Sequence, residues 1–198
     1  MVRRALACAQ KKARRQERTI VWVDEASFYL LAGVVRSYAP RKHTPILHVP
    51  LSRDHLSAIS GITEEGELLL VMQERAYKGV KGVDVVRFLK YLLRHIGGRL
   101  LVIWDGVPIH RDSAVEAFLA LVGSEGTEGS ERLCIEQLPS YAPDLNPDEG
   151  VWNYLKHVEL RNLSCHNLAE LRHELCLAAT RLRHKPDVIR SFIKQYGY

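Results

Sequence analysis

The sequence is poor in the features that mark secreted, stapled or membrane-bound chains. Its 198 residues hold four cysteines, Cys8, Cys134, Cys165 and Cys176, and no CxxC pair. That spacing excludes a small disulfide framework and, with no export signal, favours a reducing compartment. No apolar run approaches the length that spans a bilayer. The apolar part of the N-terminal stretch, "ALACA", is too short for a signal-peptide core. No segment repeats. Zinc is disfavoured as well: Cys165, His166, His173 and Cys176 match no established ligand spacing, and helical periodicity sets His173 and Cys176 among leucines.

What is present suits one globular domain with a sizeable core, since 46% of the residues are hydrophobic and 26% charged. The net charge of +5 permits a nucleic-acid partner without requiring one. Basic residues concentrate at the start. Arg3, Arg4, Lys11, Lys12, Arg14, Arg15 and Arg18 face Glu17 alone. Residues 1–18 therefore read either as a solvated, helix-prone arm or as one that touches the DNA backbone.

Along the chain, "TIVWVDEASFYLL" (19–31) begins as a buried β run that Asp24 interrupts. "SYAPRKHTPILHVP" reads as a loop or short hairpin. "HLSAISGI" and "ELLLVMQERA" flank the turn "TEEG" as an antiparallel hairpin. Residues 83–98 are predicted helical, with Val86, Leu89, Leu93 and Ile96 on one face and Gly97-Gly98 as the stop. "RLLVIWD" (99–105) is a short buried strand that ends on an acid. A helix over 113–123 opens with a capping box, Ser113 to Glu116. "SEGTEGSE" (124–131) is a polar loop and "RLCIEQLP" (132–139) a strand. Helices follow over 148–160 and 167–183. This order implies a mixed sheet with helices on its faces.

Three acids hold special places. Asp105 directly follows a buried strand, where active sites of parallel segments lie. Asp24 falls within or at the end of the first strand, where an unpaired charge is costly unless it binds a cation. Glu149 opens a helix in "YAPDLNPDEGVW" (141–152). There Asn146 suits an N-cap, Pro147 the first helical position, and Glu149 the capping-box carboxylate. The helix dipole would also keep Glu149 ionised, as a metal ligand must be. If the first and fourth strands are parallel neighbours, the three carboxylates converge. Their repulsion is relieved by divalent cations, and oxygen-only ligands suit Mg²⁺ or Mn²⁺.

Three stretches, "VWVDEASFYLL", "LLVIWDGVPIHR" and "LPSYAPDLNPDEGVWNYLK", resemble the signature blocks of the DDE-superfamily transposases. The branch they most resemble is the mariner-like bacterial insertion sequences of the six-thirty type, and "APRKHTPIL" is similar to a segment between the first two blocks. The resemblance runs from about residue 19 to 160. It implies a ribonuclease H-like α/β fold, a mixed five-stranded sheet flanked by helices, over 19–160. Residues 1–18 would be an arm or linker remnant and 161–198 a helical extension. It implies that Asp24, Asp105 and Glu149 are both the catalytic and the metal-binding residues. They would hold two Mg²⁺ or Mn²⁺ ions for cleavage at transposon ends and strand transfer to target DNA. Glu25, His110 and Asn146 are candidates for contacting substrate or supporting the ligands, and Trp152 for a core anchor.

Some residues depart from the family pattern. Gly106 stands where Asn usually follows the second Asp, Asp148 replaces an apolar residue, and 43 residues separate Asp105 from Glu149. A decayed or co-opted domain that only binds DNA or a protein is therefore an alternative, and another ribonuclease H-like nuclease is a third reading. Relatives carry an N-terminal helix-turn-helix region, for which no stretch before the first strand has room. A separately encoded half, DNA, and a second copy of the chain are thus the expected partners. The expected setting is the bacterial cytoplasm, at the nucleoid and away from membranes.

Overall fold

The computed structural model describes residues 10–31, 36, 38–43, 46, 48, 52–73, 79–123, 132–139 and 143–197. Five strands form one sheet: β1 (Arg18–Tyr29), β2 (His55–Thr63), β3 (Leu68–Met72), β4 (Arg99–Trp104) and β5 (Leu133–Gln137). Their order is β3-β2-β1-β4-β5. β1 pairs antiparallel with β2 and parallel with β4. β2 pairs antiparallel with β3, and β4 parallel with β5. This is the mixed five-stranded, ribonuclease H-like sheet that the resemblance implies.

The central strands read as unbroken apolar runs because both faces are covered. On one face Ile20, Trp22, Leu101 and Ile103 enter the larger core cluster. On the other, Val21, Val23, Leu100, Val102 and Trp104 enter the second. Helices α1 (Gly82–His95) and α2 (Ser113–Gly123) cover that second face. The larger core is closed by three helices. These are α3 (Glu149–Tyr154), which continues as a π-helical turn over Leu155–Glu159, α4 (Leu168–Arg183) and α5 (Pro186–Gln195). Arg183 of α4 donates from Nε to the Leu68 carbonyl at 3.1 Å, and so covers part of the exposed edge of β3.

Local details differ from the sequence expectations in two places. α1 buries Val85, Phe88, Leu89 and Leu92 and leaves Val86 and Leu93 half-buried, so the stripe is rotated by one residue. The run "VDVVRFLKYLL" is apolar over two neighbouring stripes, and the one containing Phe88 buries more surface. The cap of α2 is Asp112, one residue before Ser113. Its Oδ1 accepts from Ala114 N–H at 2.9 Å and its carbonyl from Val115 and Glu116. The β2–β3 turn is as expected, with Gly66 at φ +89. The described residues between 36 and 48 form no strand. Residues 124–131, where the polar loop was expected, lie outside the described residues.

Candidate active site

The site is set by register. β1 and β4 pair in parallel from Arg18↔Arg99 to Trp22↔Ile103. Continued for two more residues, the same offset brings Asp24 level with Asp105. Alternation puts Asp24 on the face of Trp22, the face that α3 covers, while Asp105 lies past the end of β4 with its Oδ1 3.5 Å from His110 Nδ1. Asp24 lies within β1, beyond the last residue paired with β4. It is still paired with β2, opposite Ser60.

The segment before α3 is fastened over this point. The buried Asn146 donates from Nδ2 to the Val23 carbonyl at 3.1 Å, next to Asp24, and its Oδ1 accepts from Asp148 N–H at 3.2 Å. Asn146 therefore ties the turn before α3 to β1, while the helix starts at Glu149 with Asp148 at its N-cap, two residues later than the sequence pattern suggested. Asp148 is wholly buried and accepts from Ser60 Oγ through Oδ2, while its Oδ1 has no hydrogen-bond partner among the described residues. Trp152 is buried as expected of an anchor, and its Nε1 also donates to Asp24 Oδ2 at 3.1 Å. Glu149, the first residue of α3, is half-buried beside these groups.

Crowding of carboxylates governs the electrostatics. Burial pushes the Asp24 carboxyl up from 3.8 to about 8, helped by the charges of Glu149, Glu25 and Asp105. Burial also raises Asp148 well above the ordinary range, with Asp24 and Glu149 adding to it. Asp105 is raised by burial, against the opposing pull of the Val107 N–H and of His110.

Glu25 points to the other face of β1, as strand alternation requires, and meets His110. The His110 ring stacks on Trp104 with centroids 4.1 Å apart. Its Nε2 lies 3.0 Å from Glu25 Oε1 and its Nδ1 2.8 Å from the Asp105 carbonyl. Burial works against a charged imidazole, but the hydrogen bond and charge of Glu25 outweigh it and raise the pKa. With oxygens facing both nitrogens, His110 bridges Glu25 to the Asp105 backbone. Its side chain is 1% exposed. Glu25, Asp105 and His110 do bring ligand atoms within 4.8 Å of one another. Both ring nitrogens of His110 are already engaged, however, Nε2 by Glu25 and Nδ1 by the Asp105 carbonyl. The all-oxygen set of Asp24, Asp105 and Glu149 suits a hard divalent cation better, and Asp24 is the group whose ionisation such a cation would restore.

The basic residues lie elsewhere. Lys11, Lys12, Arg14 and Arg15 belong to a helical segment over 10–15 that precedes β1, with Ala13 packed into the larger core. Arg14 pairs with Glu64 of the β2–β3 turn at 2.9 Å. This is the opposite pole of the sheet from the acids, about 20 Å along β1. Arg3 and Arg4 lie outside the described residues. The larger cavity beside the larger core, about 210 Å³, is lined by Phe28, Lys156, Leu160 and neighbours and by none of the acids.

The acids thus lie within β1, just past β4 and at the first residue of α3, and among the described residues the three whose ligand atoms come within 4.8 Å of one another are Glu25, Asp105 and His110. The family profile described as DDE superfamily endonuclease matches residues 19–172, and the chain belongs to that family. No curated protein matches it significantly. Among solved structures it is similar to the mariner Mos1 paired end complex with Mg, with a TM-score of 0.63, 16% identity, and coverage of 97% of this chain and 60% of that one. It is similar to the Mos1 strand transfer complex, with a TM-score of 0.58, 17% identity, and coverage of 100% and 62%. The catalytic domain of Mos1 mariner transposase gives a TM-score of 0.54 and 16% identity over 100% of this chain and 94% of that one. At such identities the likeness is one of fold. The chain spans about 60% of the length of the Mos1 chains in the paired end complexes.

Proposed function

We propose that this chain is the catalytic domain of a DDE-type transposase of the mariner-like insertion-sequence kind. It would cut DNA at transposon ends and join the 3′-hydroxyl to target DNA. The observation that supports this most is the shared register level of Asp24 and Asp105, with the helix of Glu149 tethered above them through Asn146. These three carboxylates would hold Mg²⁺ or Mn²⁺, as two ions. When bound, such ions polarise a phosphodiester and make water or a 3′-hydroxyl nucleophilic near neutral pH. The Trp152 N–H orients Asp24, His110 holds the Asp105 backbone, and the bond between Asp148 and Ser60 seats the start of α3 against β2.

Residues 19–160 would carry this chemistry, with 161–198 as the covering helices and the basic residues 1–18 as contacts to the DNA backbone. Full transposition would need a helix-turn-helix half, and pairing of two transposon ends would need a second copy of the chain. The reaction would take place at the bacterial nucleoid. Among the described residues no helix is long and apolar enough to cross a membrane.

The test is Mn²⁺ binding by calorimetry together with nicking of plasmid carrying the element's ends. Binding and nicking that are both lost in Asp24→Asn and Asp105→Asn, in variants that remain folded, are the expected result. Mn²⁺ binding that survives both changes and vanishes in His110→Gln would move the centre to Glu25, Asp105 and His110. Binding of DNA without metal-dependent nicking by the full element protein would favour a decayed domain.

A further inference from the structure

We infer that Tyr196, at the end of α5, touches substrate at the acidic site, its hydroxyl donating to a non-bridging oxygen of the DNA phosphodiester. This rests on the proposed reading of the acids as a phosphodiester site. The course of α5 carries the inference. Its start lies at the far pole, where a side chain built at Gly66 would come within 2.6 Å of the Pro186 carbonyl. Arg190 Nη1 donates to the Glu65 carbonyl of the same turn at 2.8 Å. The residue before the helix, Lys185, reaches Tyr154 Oη at 3.0 Å, at the late end of α3. Midway along, Phe192 lies on Gly150, so closely that a Cβ there would sit 2.7 Å from the ring. α5 therefore runs antiparallel to α3, and its ten residues rise about 15 Å from the far pole to the acids.

Phe192 and Tyr196 are one turn apart on the same face. One turn beyond the contact of Phe192 with Gly150, the antiparallel course carries Tyr196 just past Glu149, the first residue of α3. The last turn of α5 closes with Tyr196 N–H to the Ile193 carbonyl at 3.2 Å and Gly197 N–H to the Lys194 carbonyl at 3.0 Å. The ring is half-buried, and its hydroxyl makes no hydrogen bond to a described residue. Burial, then the charges of Glu149, Asp144 and Asp24, keep the phenol protonated. A protonated phenol among carboxylates that it does not bond to is a donor awaiting an acceptor. The phosphodiester brought to those carboxylates supplies one.

The experiment compares the wild type with Tyr196→Phe, which keeps the ring and deletes the hydroxyl. Binding of a short labelled DNA duplex is followed by fluorescence anisotropy in Ca²⁺. About tenfold weaker binding is expected in the variant, as for loss of one hydrogen bond to a charged group, with Mn²⁺ affinity and thermal midpoint unchanged. A duplex with one strand made of methylphosphonates lacks the charged acceptor, and the difference between the two proteins should shrink on it. Equal binding of phosphodiester DNA by both proteins overturns the inference alone, as does an undiminished difference on the methylphosphonate strand, which would mark a packing effect. If Asp24→Asn and Glu149→Gln leave Ca²⁺-dependent DNA binding intact, the acidic site is not the phosphodiester site, and the role of Tyr196 falls with it.

Discussion

Asp24 carries the largest energetic conflict among the single residues. Its carboxyl is raised from 3.8 to about 8, so between those values the folded chain holds a proton that the unfolded chain lacks. Stability of the metal-free protein should therefore fall as pH rises through that window, by up to about 1.4 kcal/mol per pH unit for this group. Asp24→Asn should remove one proton's share of that slope and stabilise the metal-free protein at pH 8. Urea denaturation at several pH values checks it, and an unchanged slope in the variant would contradict the assignment. Mg²⁺ should stabilise the wild type most at the alkaline end, where it replaces the proton. His110 has the opposite ionic character. Its pKa is raised against burial by Glu25, so its contribution is complete below 6.5 and is lost as pH rises through the folded value. Glu25→Gln should lower the pKa of His110, read from its ring resonances by NMR, and should loosen the loop after Asp105.

At the scale of elements, the start of α3 shows what sequence can and cannot carry. Asp105 could be placed by a strand end alone, and the order of strands and helices by hydrophobic period, whereas Asp24 sits within a strand that runs on to Tyr29. The turn closed by Asn146 was readable because its bond to Asp148 N–H is local, although the helix itself starts two residues later than expected. The other partners were not, since they join residues far apart in the chain. Trp152 Nε1 meets Asp24 across 128 positions, and Ser60 meets Asp148 across 88. Nothing in "NPDEG" announces that Asp148 will be wholly buried, because that depends on where β2 passes. The rotated stripe of α1 has a related cause, since period alone does not choose between two adjacent apolar faces. Gly150 is the point where these long-range contacts meet. Ala is ordinarily the better helix former, but here its methyl would strike Phe192 at Cγ and Cβ, near the root of the side chain, where the ring cannot swing clear. Gly150→Ala should therefore cost roughly 1–3 kcal/mol, a net loss despite the gain in propensity. Chemical denaturation measures it, and a stabilised variant would show that α3 and α5 can separate at little cost.

The molecule as a whole has two poles of different charge. Asp24 midway along β1, Asp105 just past β4, and Asp148 and Glu149 at the start of α3 make up one pole, while the amino end of β1 is preceded by Lys11, Lys12, Arg14 and Arg15. A duplex lying over the acids cannot also touch, at the same point of its backbone, residues some 20 Å away along the strand. If both poles act on DNA, they meet different segments of it. Arg14 is the weaker candidate of the four because Glu64 already engages it, although an exposed pair of this kind adds at most about 1 kcal/mol to stability. Lys11, Lys12 and Arg15 are exposed. Changing these three to Gln should weaken DNA binding without regard to sequence, because binding to phosphate carries no sequence information. For every phosphate no longer neutralised, the dependence of log affinity on log salt should flatten by about 0.9. Mn²⁺ affinity should stay unchanged, since the acids sit at the other pole. The measurement is a binding titration on a transposon-end duplex and a scrambled one at two or more salt concentrations. An unchanged salt slope in the triple variant would show that the basic pole is only a solvated surface. A preference for the end sequence that persists at high salt in the wild type would show that this chain reads bases itself, and the need for a separate helix-turn-helix half would fall.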